Sequence, residues 1–166
     1  MSGVCLNLGA GMMPVAGYVS CDSQPYPGIE IVCKVPSQRL PFDDGAVAPI
    51  YCGHMIEHLP PWDVLPMLEE CHRVLAPGGT LTLVCPDADK ARLFAESQRT
   101  PIAQYALTIH GAKHDDMPHW LLWSPRRLEL ALLMADFTID NAYHWKDDER
   151  VYDRRVLAQC GARGIK

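Results

Sequence analysis

Two glycines near the amino terminus and one aspartate that follows them could together bind a nucleotide-like ligand. The apolar run Val4–Leu8 leads directly into Gly9-Ala10-Gly11, and glycine, which has no Cβ, lets a ligand lie against bare backbone. Asp22 ends the next apolar run, where an acid can accept hydrogen bonds from two ribose hydroxyls. A short Gly-x-Gly also occurs in ordinary tight turns. The pattern therefore predicts a nucleoside-containing cofactor only in combination with the elements around it.

The pentapeptide His54-Met55-Ile56-Glu57-His58 has the H-x-x-E-H spacing of inverted zinc metallopeptidases. On a helix, His54 and His58 would share one face and could hold zinc, with Glu57 as the base and Glu129 as a third ligand. The pentapeptide directly follows an apolar strand, however, and Pro60-Pro61 ends it. Metallopeptidases of this kind are also built on much larger domains. We therefore expect no metal site, and a zinc hydrolase is the weakest functional alternative.

The loop Gly111–His119 and the residue before it contain a second polar cluster. Its members are His110, His114, Asp115, Asp116 and His119. A solvated surface loop is the ordinary interpretation of each one. The cluster follows two predicted helices that would cover a pocket, and loops in such places commonly contact substrate. His119, His114 and Asp115 are therefore the candidates for a general base.

The composition is that of one globular domain that spans residues 1–166. The chain has 48% apolar residues and no apolar run near the roughly 20 residues that a membrane helix needs. Its first residues have no basic or apolar region of the kind that begins a signal peptide, so we expect no secretory signal. The net charge of −5 argues against nucleic acid as the default partner. Seven cysteines without a C-x-x-C pair predict buried free thiols in a reducing cytoplasm.

Strands and helices alternate along the chain, which predicts a mostly parallel sheet with helices on its faces. Pro14 and Gly17 leave no room for a full crossover helix after the first strand. The predicted strands are Val4–Leu8, Tyr18–Cys21, Ile29–Val35, Val47–Cys52, Thr80–Cys85 and an antiparallel pair, Phe137–Tyr143 and Val151–Cys160. The predicted helices are Pro61–Leu75, Asp87–Ser97, Pro101–His110 and Pro125–Met134, the last capped by Ser124.

Four segments in this order resemble the class I S-adenosylmethionine-dependent methyltransferases, in particular the type called methyltransferase domain 11. They are Leu6–Asp22, Leu40–Gly45, Ile50–Leu59 and Arg73–Leu81. Their order and spacing carry the resemblance over residues 4–87, and weaker similarity continues through His119–Asp140. The resemblance implies an α/β fold with a Rossmann-like sheet of seven strands. That sheet would be mostly parallel with a terminal antiparallel strand, and its first crossover would be shortened.

The resemblance also implies a site for S-adenosylmethionine across the carboxyl ends of the first, second and fourth strands. Gly9 and Gly11 would flank its methionine part, Asp22 would bind the ribose, and Leu40 would pack on the adenine. Residues 87–123 would cover the substrate. The residues implied to contact the cofactor are Asn7, Gly9, Ala10, Gly11, Asp22, Ser23, Arg39, Leu40, Gly53, His54 and Met55.

Three departures from the family pattern concern this cofactor site. Asn7 stands where many members have an acid that contacts the cofactor's amino group, so the charge is lost there. Ala48-Pro49 replaces an aspartate that is often found just before Ile50 in the family. The acid that usually precedes the Leu-Pro-Phe stretch is either replaced by Lys34 or missing. With the first crossover helix absent, these changes predict a more open and weaker cofactor pocket.

The expected function is methyl transfer from S-adenosylmethionine to a small-molecule acceptor by a cytoplasmic enzyme. We expect neither nucleic acid nor a membrane as a partner, and an open pocket is compatible with a homodimer. The sulfonium methyl is already activated, so the protein mainly positions the acceptor and removes its proton. One alternative is a binding protein that kept the cofactor fold and lost catalysis, because of Asn7 and Ala48. The other is the zinc hydrolase that would use His54, Glu57 and His58.

Overall fold

The computed structural model describes residues 3–96, 110, 118–144 and 159–166. Within these ranges the strands are β1 (Val4–Leu8), β2 (Val19–Asp22), β3 (Ile31–Val32), β4 (Val47–Gly53), β5 (Thr80–Pro86), β6 (Thr138–His144) and β7 (Gln159–Ile165). The helices are α1 (Pro61–Val74), α2 (Ala88–Glu96) and α3 (Pro125–Met134), and a short 3-10 turn spans Ile56–His58.

All seven strands belong to one sheet, in the order β3-β2-β1-β4-β5-β7-β6. The pairs from β3 through to β5 are parallel, whereas β7 is antiparallel to both β5 and β6. The sequence order of the strands reverses between β1 and β4, and a crevice at such a switch point is the usual ligand site of open α/β sheets. The predicted sheet, mostly parallel with an antiparallel end, is confirmed.

The core lies between one face of the sheet and the helices α1 and α3. Leu6, Ile50 and Leu81 lie side by side in register on β1, β4 and β5 and are fully buried. Helix α1 buries residues with helical spacing, as an amphipathic helix does against a sheet. These residues are Val64, Met67, Leu68, Cys71 and Val74. From α3, Leu128 and Leu132 complete the same core.

A loop of turns connects β1 to β2 in place of a helix. Residues 9–18 are all described and none is helical. The side chain of Asn7 closes this loop, because its Nδ2 donates a hydrogen bond to the carbonyl oxygen of Met13 at 3.2 Å. The shortened first crossover that the prolines and glycines predict is therefore present.

Two strands differ from the prediction by more than one residue at an end. Strand β3 has only two residues, and β7 begins at Gln159 where the prediction ended at Cys160. Gly161 and Gly164 are poor strand formers, so the sequence pattern does not indicate a strand over these residues. A Cβ on Gly164 would lie 2.8 Å from the Cβ of Phe137, so the missing side chain makes room for this ring. Residues 151–158 and most of the predicted helix Pro101–His110 lie outside the described residues.

The cysteines are free thiols, and all except Cys5 are buried. Burial raises the pKa of Cys21 to about 12, with a smaller contribution from Cys33. A thiol becomes a nucleophile only as the thiolate, so this buried residue is a packing residue. None of the helices in the described ranges is long and apolar enough to cross a membrane.

Candidate functional site

The carboxyl ends of β1, β2 and β4 meet at one edge of the sheet and bring most of the predicted cofactor residues together. Leu8 is the register partner of Cys21, so Gly9 and Asp22 follow neighbouring strand ends. Gly53 ends β4, and the main-chain N–H of His54 donates to Val84 on β5 at 2.8 Å. The glycine loop, Asp22 and the residues after β4 therefore surround the crevice at the switch point.

Asp22 uses part of its carboxylate to hold the glycine loop. Its Oδ2 accepts a hydrogen bond from the main-chain N–H of Gly11 at 2.8 Å. Its Oδ1 accepts from the N–H of Gln24 at 3.0 Å, and the hydroxyl of Ser23 lies 3.4 Å from the same oxygen. A carboxylate offers about four acceptor positions, so this half-buried group has capacity left for a ligand hydroxyl.

Gly9 and Gly11 have different structural roles, although both have a positive φ, of 70° and 52° respectively. A Cβ on Gly9 would lie 2.6 Å from the Cβ of Met55, so the Met55 side chain occupies the space that the glycine leaves. A Cβ on Gly11 would meet nothing within 4 Å. The open approach to bare backbone is therefore at Gly11, whereas Gly9 allows β1 and the segment after β4 to pack closely.

Asn7 and Ala10 form the buried base of the glycine loop. The main-chain N–H of Ala10 donates to the carbonyl oxygen of Cys21 at 3.1 Å, and that of Gly9 donates to the same oxygen at 2.8 Å. These bonds, with the Asn7 amide on Met13, fix the loop against the end of β2.

Arg39 and Leu40 lie in the loop between β3 and β4. Leu40 is buried in the core, and the side chain of Arg39 is 74% exposed and 3.8 Å from Glu70. A surface cavity of about 540 Å³ is lined by residues 39–44 and by Arg73, and neither Gly11 nor Asp22 lines it. The structure therefore buries the side chain that the resemblance places on the adenine.

Arg73 on α1 holds the loop that contains Leu40. Its guanidinium donates to the carbonyl oxygens of Phe42 at 2.9 Å and Leu40 at 3.3 Å, and to the Asp44 carboxylate at 2.6 Å. It also makes two bonds to Glu70, at 2.8 and 2.7 Å, which lower the pKa of the Glu70 carboxyl. This network positions the loop before β4 and is structural.

His54 adopts a left-handed backbone conformation, with φ 55°, directly after β4. Its Nδ1 lies 3.3 Å from Oε1 of Glu57, and its Nε2 lies 3.1 Å from Nε2 of Gln159 at the start of β7. The helical turn that follows contains only Ile56–His58. His54 and His58 therefore do not share a helix face, and the arrangement of an inverted metallopeptidase is not formed. Glu129 lies on α3, where it is paired with Arg126 at 2.6 Å.

A different polar cluster forms beside His54. Glu57, His58 and His119 each place one ligand-type atom so that all three atoms lie within 4.8 Å of one another. The rings of His58 and His119 meet edge to face with centroids 4.9 Å apart. The main-chain N–H of Trp120 donates to the carbonyl oxygen of Glu57 at 2.8 Å, and this bond brings the distant segments together.

Of the three predicted general bases, only His119 lies within the described residues, where it belongs to this cluster; His114 and Asp115 lie outside them. The H-x-x-E-H motif contains two members of this cluster, Glu57 and His58, but as a sequence pattern it groups them with His54 and Glu129. No local signal links Glu57 to His119, because their contact depends on the fold.

Comparison with known proteins confirms the resemblance to the class I S-adenosylmethionine-dependent methyltransferases. The family model described as a methyltransferase domain matches residues 3–83. No curated protein matches the chain. A methyltransferase of Aquifex aeolicus is similar with a TM-score of 0.59 at 14% identity, over 98% of this chain and 81% of that one.

Two further solved structures share the fold. One is the Burkholderia thailandensis 1,6-didemethyltoxoflavin N1-methyltransferase with bound 1,6-didemethyltoxoflavin and S-adenosylhomocysteine; its TM-score is 0.66 at 15% identity, over 99% of this chain and 71% of that one. The other is a methyltransferase of Mesorhizobium loti, with a TM-score of 0.65 at 18% identity, over 99% of this chain and 92% of that one.

Proposed function

We propose that this chain, which has the fold and the sequence motifs of the class I S-adenosylmethionine-dependent methyltransferases, transfers the methyl group of that cofactor to a small-molecule acceptor. The observation that carries the proposal is the meeting of three features at one edge of the sheet. They are the open backbone at Gly11, the Asp22 carboxylate and the polar cluster that contains His119.

The residues at this edge suit the cofactor. Asp22 has acceptor capacity for ribose hydroxyls, and Gly11 leaves space beside the main chain. Asn7 carries no charge, so it would bind the cofactor's amino group more weakly than an acid does. Gly53, His54 and Met55, at the end of β4 and just after it, would also contact the cofactor. Ala10, Ser23, Arg39 and Leu40 complete the proposed binding set.

Bound S-adenosylmethionine supplies a methyl group on a positively charged sulfur, which is already activated for transfer. The protein contributes orientation of the acceptor, which can lower a barrier by about 7–11 kcal/mol. A hydroxyl or amine acceptor must also lose a proton. His119 is the proposed proton acceptor among the described residues, and His114 and Asp115 are the alternatives outside them.

Several features support a small metabolite as the acceptor. The Burkholderia thailandensis neighbour has 1,6-didemethyltoxoflavin and S-adenosylhomocysteine bound. A net charge of −5 disfavours nucleic acid. We propose that residues 87–123 cover the acceptor, that the enzyme works in the cytoplasm, where its free thiols stay reduced, and that it is compatible with a homodimer.

Cofactor binding is the first test. S-Adenosylmethionine at about 100 times its dissociation constant should add roughly 2.7 kcal/mol to the free energy of unfolding, measured as a thermal shift and checked by calorimetry. Folded protein that shows no shift at millimolar cofactor would contradict the proposal. Formation of S-adenosylhomocysteine with a panel of hydroxyl and amine acceptors then separates an enzyme from a protein that only binds the cofactor.

A further inference from the structure

We propose that Glu57, His58 and His119 bind one divalent transition-metal ion, of the class of zinc, with a coordination position left open. The three side chains come from the turn after β4 and from the segment before α3. This set differs from the H-x-x-E-H set of the sequence, because His54 is outside it and His119 replaces Glu129. The binding itself does not depend on the proposed methyl transfer.

The burial of Glu57 is the first argument. Its side chain is 1% exposed, and neither carboxylate oxygen accepts a hydrogen bond from any described residue. A buried carboxylate without donors is costly unless it is protonated or lies against a cation. Nδ1 of His54 lies 3.3 Å from Oε1, and Oε2 has no hydrogen-bond partner among the described residues.

The neighbouring histidines supply the rest of a ligand set. Nδ1 of His58 is buried and has no hydrogen-bond partner in the described part of the chain. Metal–ligand distances of about 2.0–2.2 Å in a tetrahedral site place ligand atoms about 3.4 Å apart. The ligand atoms of the three side chains lie up to 4.8 Å apart in the structure. They must therefore approach one another by at most about 1.4 Å, the difference between these two distances, and side-chain rotation can provide this movement.

The ligand chemistry selects the metal. Two imidazoles and one carboxylate are a known zinc set, and three protein ligands leave the fourth position for water or substrate. Magnesium and calcium prefer oxygen ligands throughout, so they fit this site poorly. His54 would lie beside the bound carboxylate and orient it, as groups around metal ligands commonly do. If the proposed function holds, such a metal would lower the pKa of an acceptor hydroxyl, and His119 would be a ligand instead of the base.

Metal content of the protein purified without a histidine tag tests the proposal. The protein is incubated with zinc and separated from free metal by gel filtration. Elemental mass spectrometry should then find close to one zinc per chain. The variants His58→Ala and His119→Ala should each retain less than a tenth of that amount. His72→Ala is the matched control, because His72 lies on α1 against Phe137, outside the cluster, and this variant should keep its zinc.

Cobalt substitution covers the case in which a variant does not fold. Wild-type protein loaded with cobalt should show the weak visible bands of nitrogen and oxygen ligands. A strong thiolate-to-cobalt band would place the metal on cysteines and overturn the proposal. It would equally be overturned if the wild type retained less than a tenth of an equivalent of zinc, or if folded variants retained zinc fully. Cofactor affinity of chelator-treated protein, measured separately, tests the proposed function alone.

Discussion

At the scale of single residues, Asp22 has two tasks that a substitution would remove together. Asp22→Ala should weaken S-adenosylmethionine binding, because a hydrogen bond to a charged acceptor contributes about 1.5–3 kcal/mol. It should also loosen the glycine loop, since Gly11 and Gln24 donate to the same carboxylate. Calorimetry measures the affinity, and Asp43→Ala, an exposed acid in the loop before β4, is the control. Affinity within twofold of the wild type would make Asp22 a turn residue only.

The two glycines of the loop should respond differently to the same substitution. Gly9→Ala should lower the free energy of unfolding by about 2–5 kcal/mol, because the new Cβ overlaps Met55 and the left-handed conformation is itself unfavourable. Gly11→Ala should cost only about 1–2 kcal/mol, from the backbone conformation alone, while it reduces cofactor affinity. Urea denaturation and calorimetry measure the two effects. Equal losses of stability would refute the assignment of Met55 to the space at Gly9.

At the scale of secondary-structure elements, Arg73 fixes the loop before β4 to α1. Arg73→Ala should destabilise the protein by about 2–4 kcal/mol, because it breaks several charge-assisted bonds and leaves Glu70 with only the Leu40 N–H and the exposed Arg39 as partners. Arg126→Ala removes an exposed ion pair on α3 and should cost less than about 1 kcal/mol. Chemical denaturation compares the two variants, and a similar small loss in both would mean that the network contributes little.

The same network predicts a dependence of stability on pH. Hydrogen bonds from Arg73 lower the pKa of Glu70 in the folded state. The stabilisation is therefore fully present above the ordinary glutamate pKa of about 4.3 and is lost as the pH falls through the folded value. Unfolding measured from pH 6 to pH 3 should show this loss, and Glu70→Gln should reduce the slope below pH 4.5. An unchanged slope in the variant would assign the acid sensitivity to other carboxyls.

The elements that sequence patterns predict well are those whose hydrophobic periodicity is local. Strand β1 has the predicted bounds, and α1 ends one residue earlier than predicted, because apolar alternation and proline or glycine stops mark both. Strand β7 was misplaced because Gly161 and Gly164 carry no strand signal, and their suitability depends on contacts such as the one with Phe137. Local pattern and long-range packing thus specify different parts of the sheet.

The candidate site likewise has one part that the sequence pattern predicts and another that depends on long-range packing. Gly11 and Asp22 follow strand ends in sequence, so the parallel sheet alone predicts that they meet. The position of Met55 over Gly9 and the contact of His119 with His58 depend on how separate loops close over the edge. No spacing rule contains that information.

At the scale of the whole molecule, the place of β7 determines when the sheet can be completed. It lies between β5 and β6 but follows both in the chain, so the ribosome has synthesised both neighbours before the strand that joins them. Until β7 is synthesised, the backbone N–H and C=O groups of β5 and β6 that will pair with it have no partner strand. Nascent chains that end before Gln159 should therefore be cleaved readily by protease, whereas chains through Lys166 resist. The sheet is thus completed only after β7 has been synthesised, and a chain that stalls before β7 exposes open strand edges on which aggregation begins.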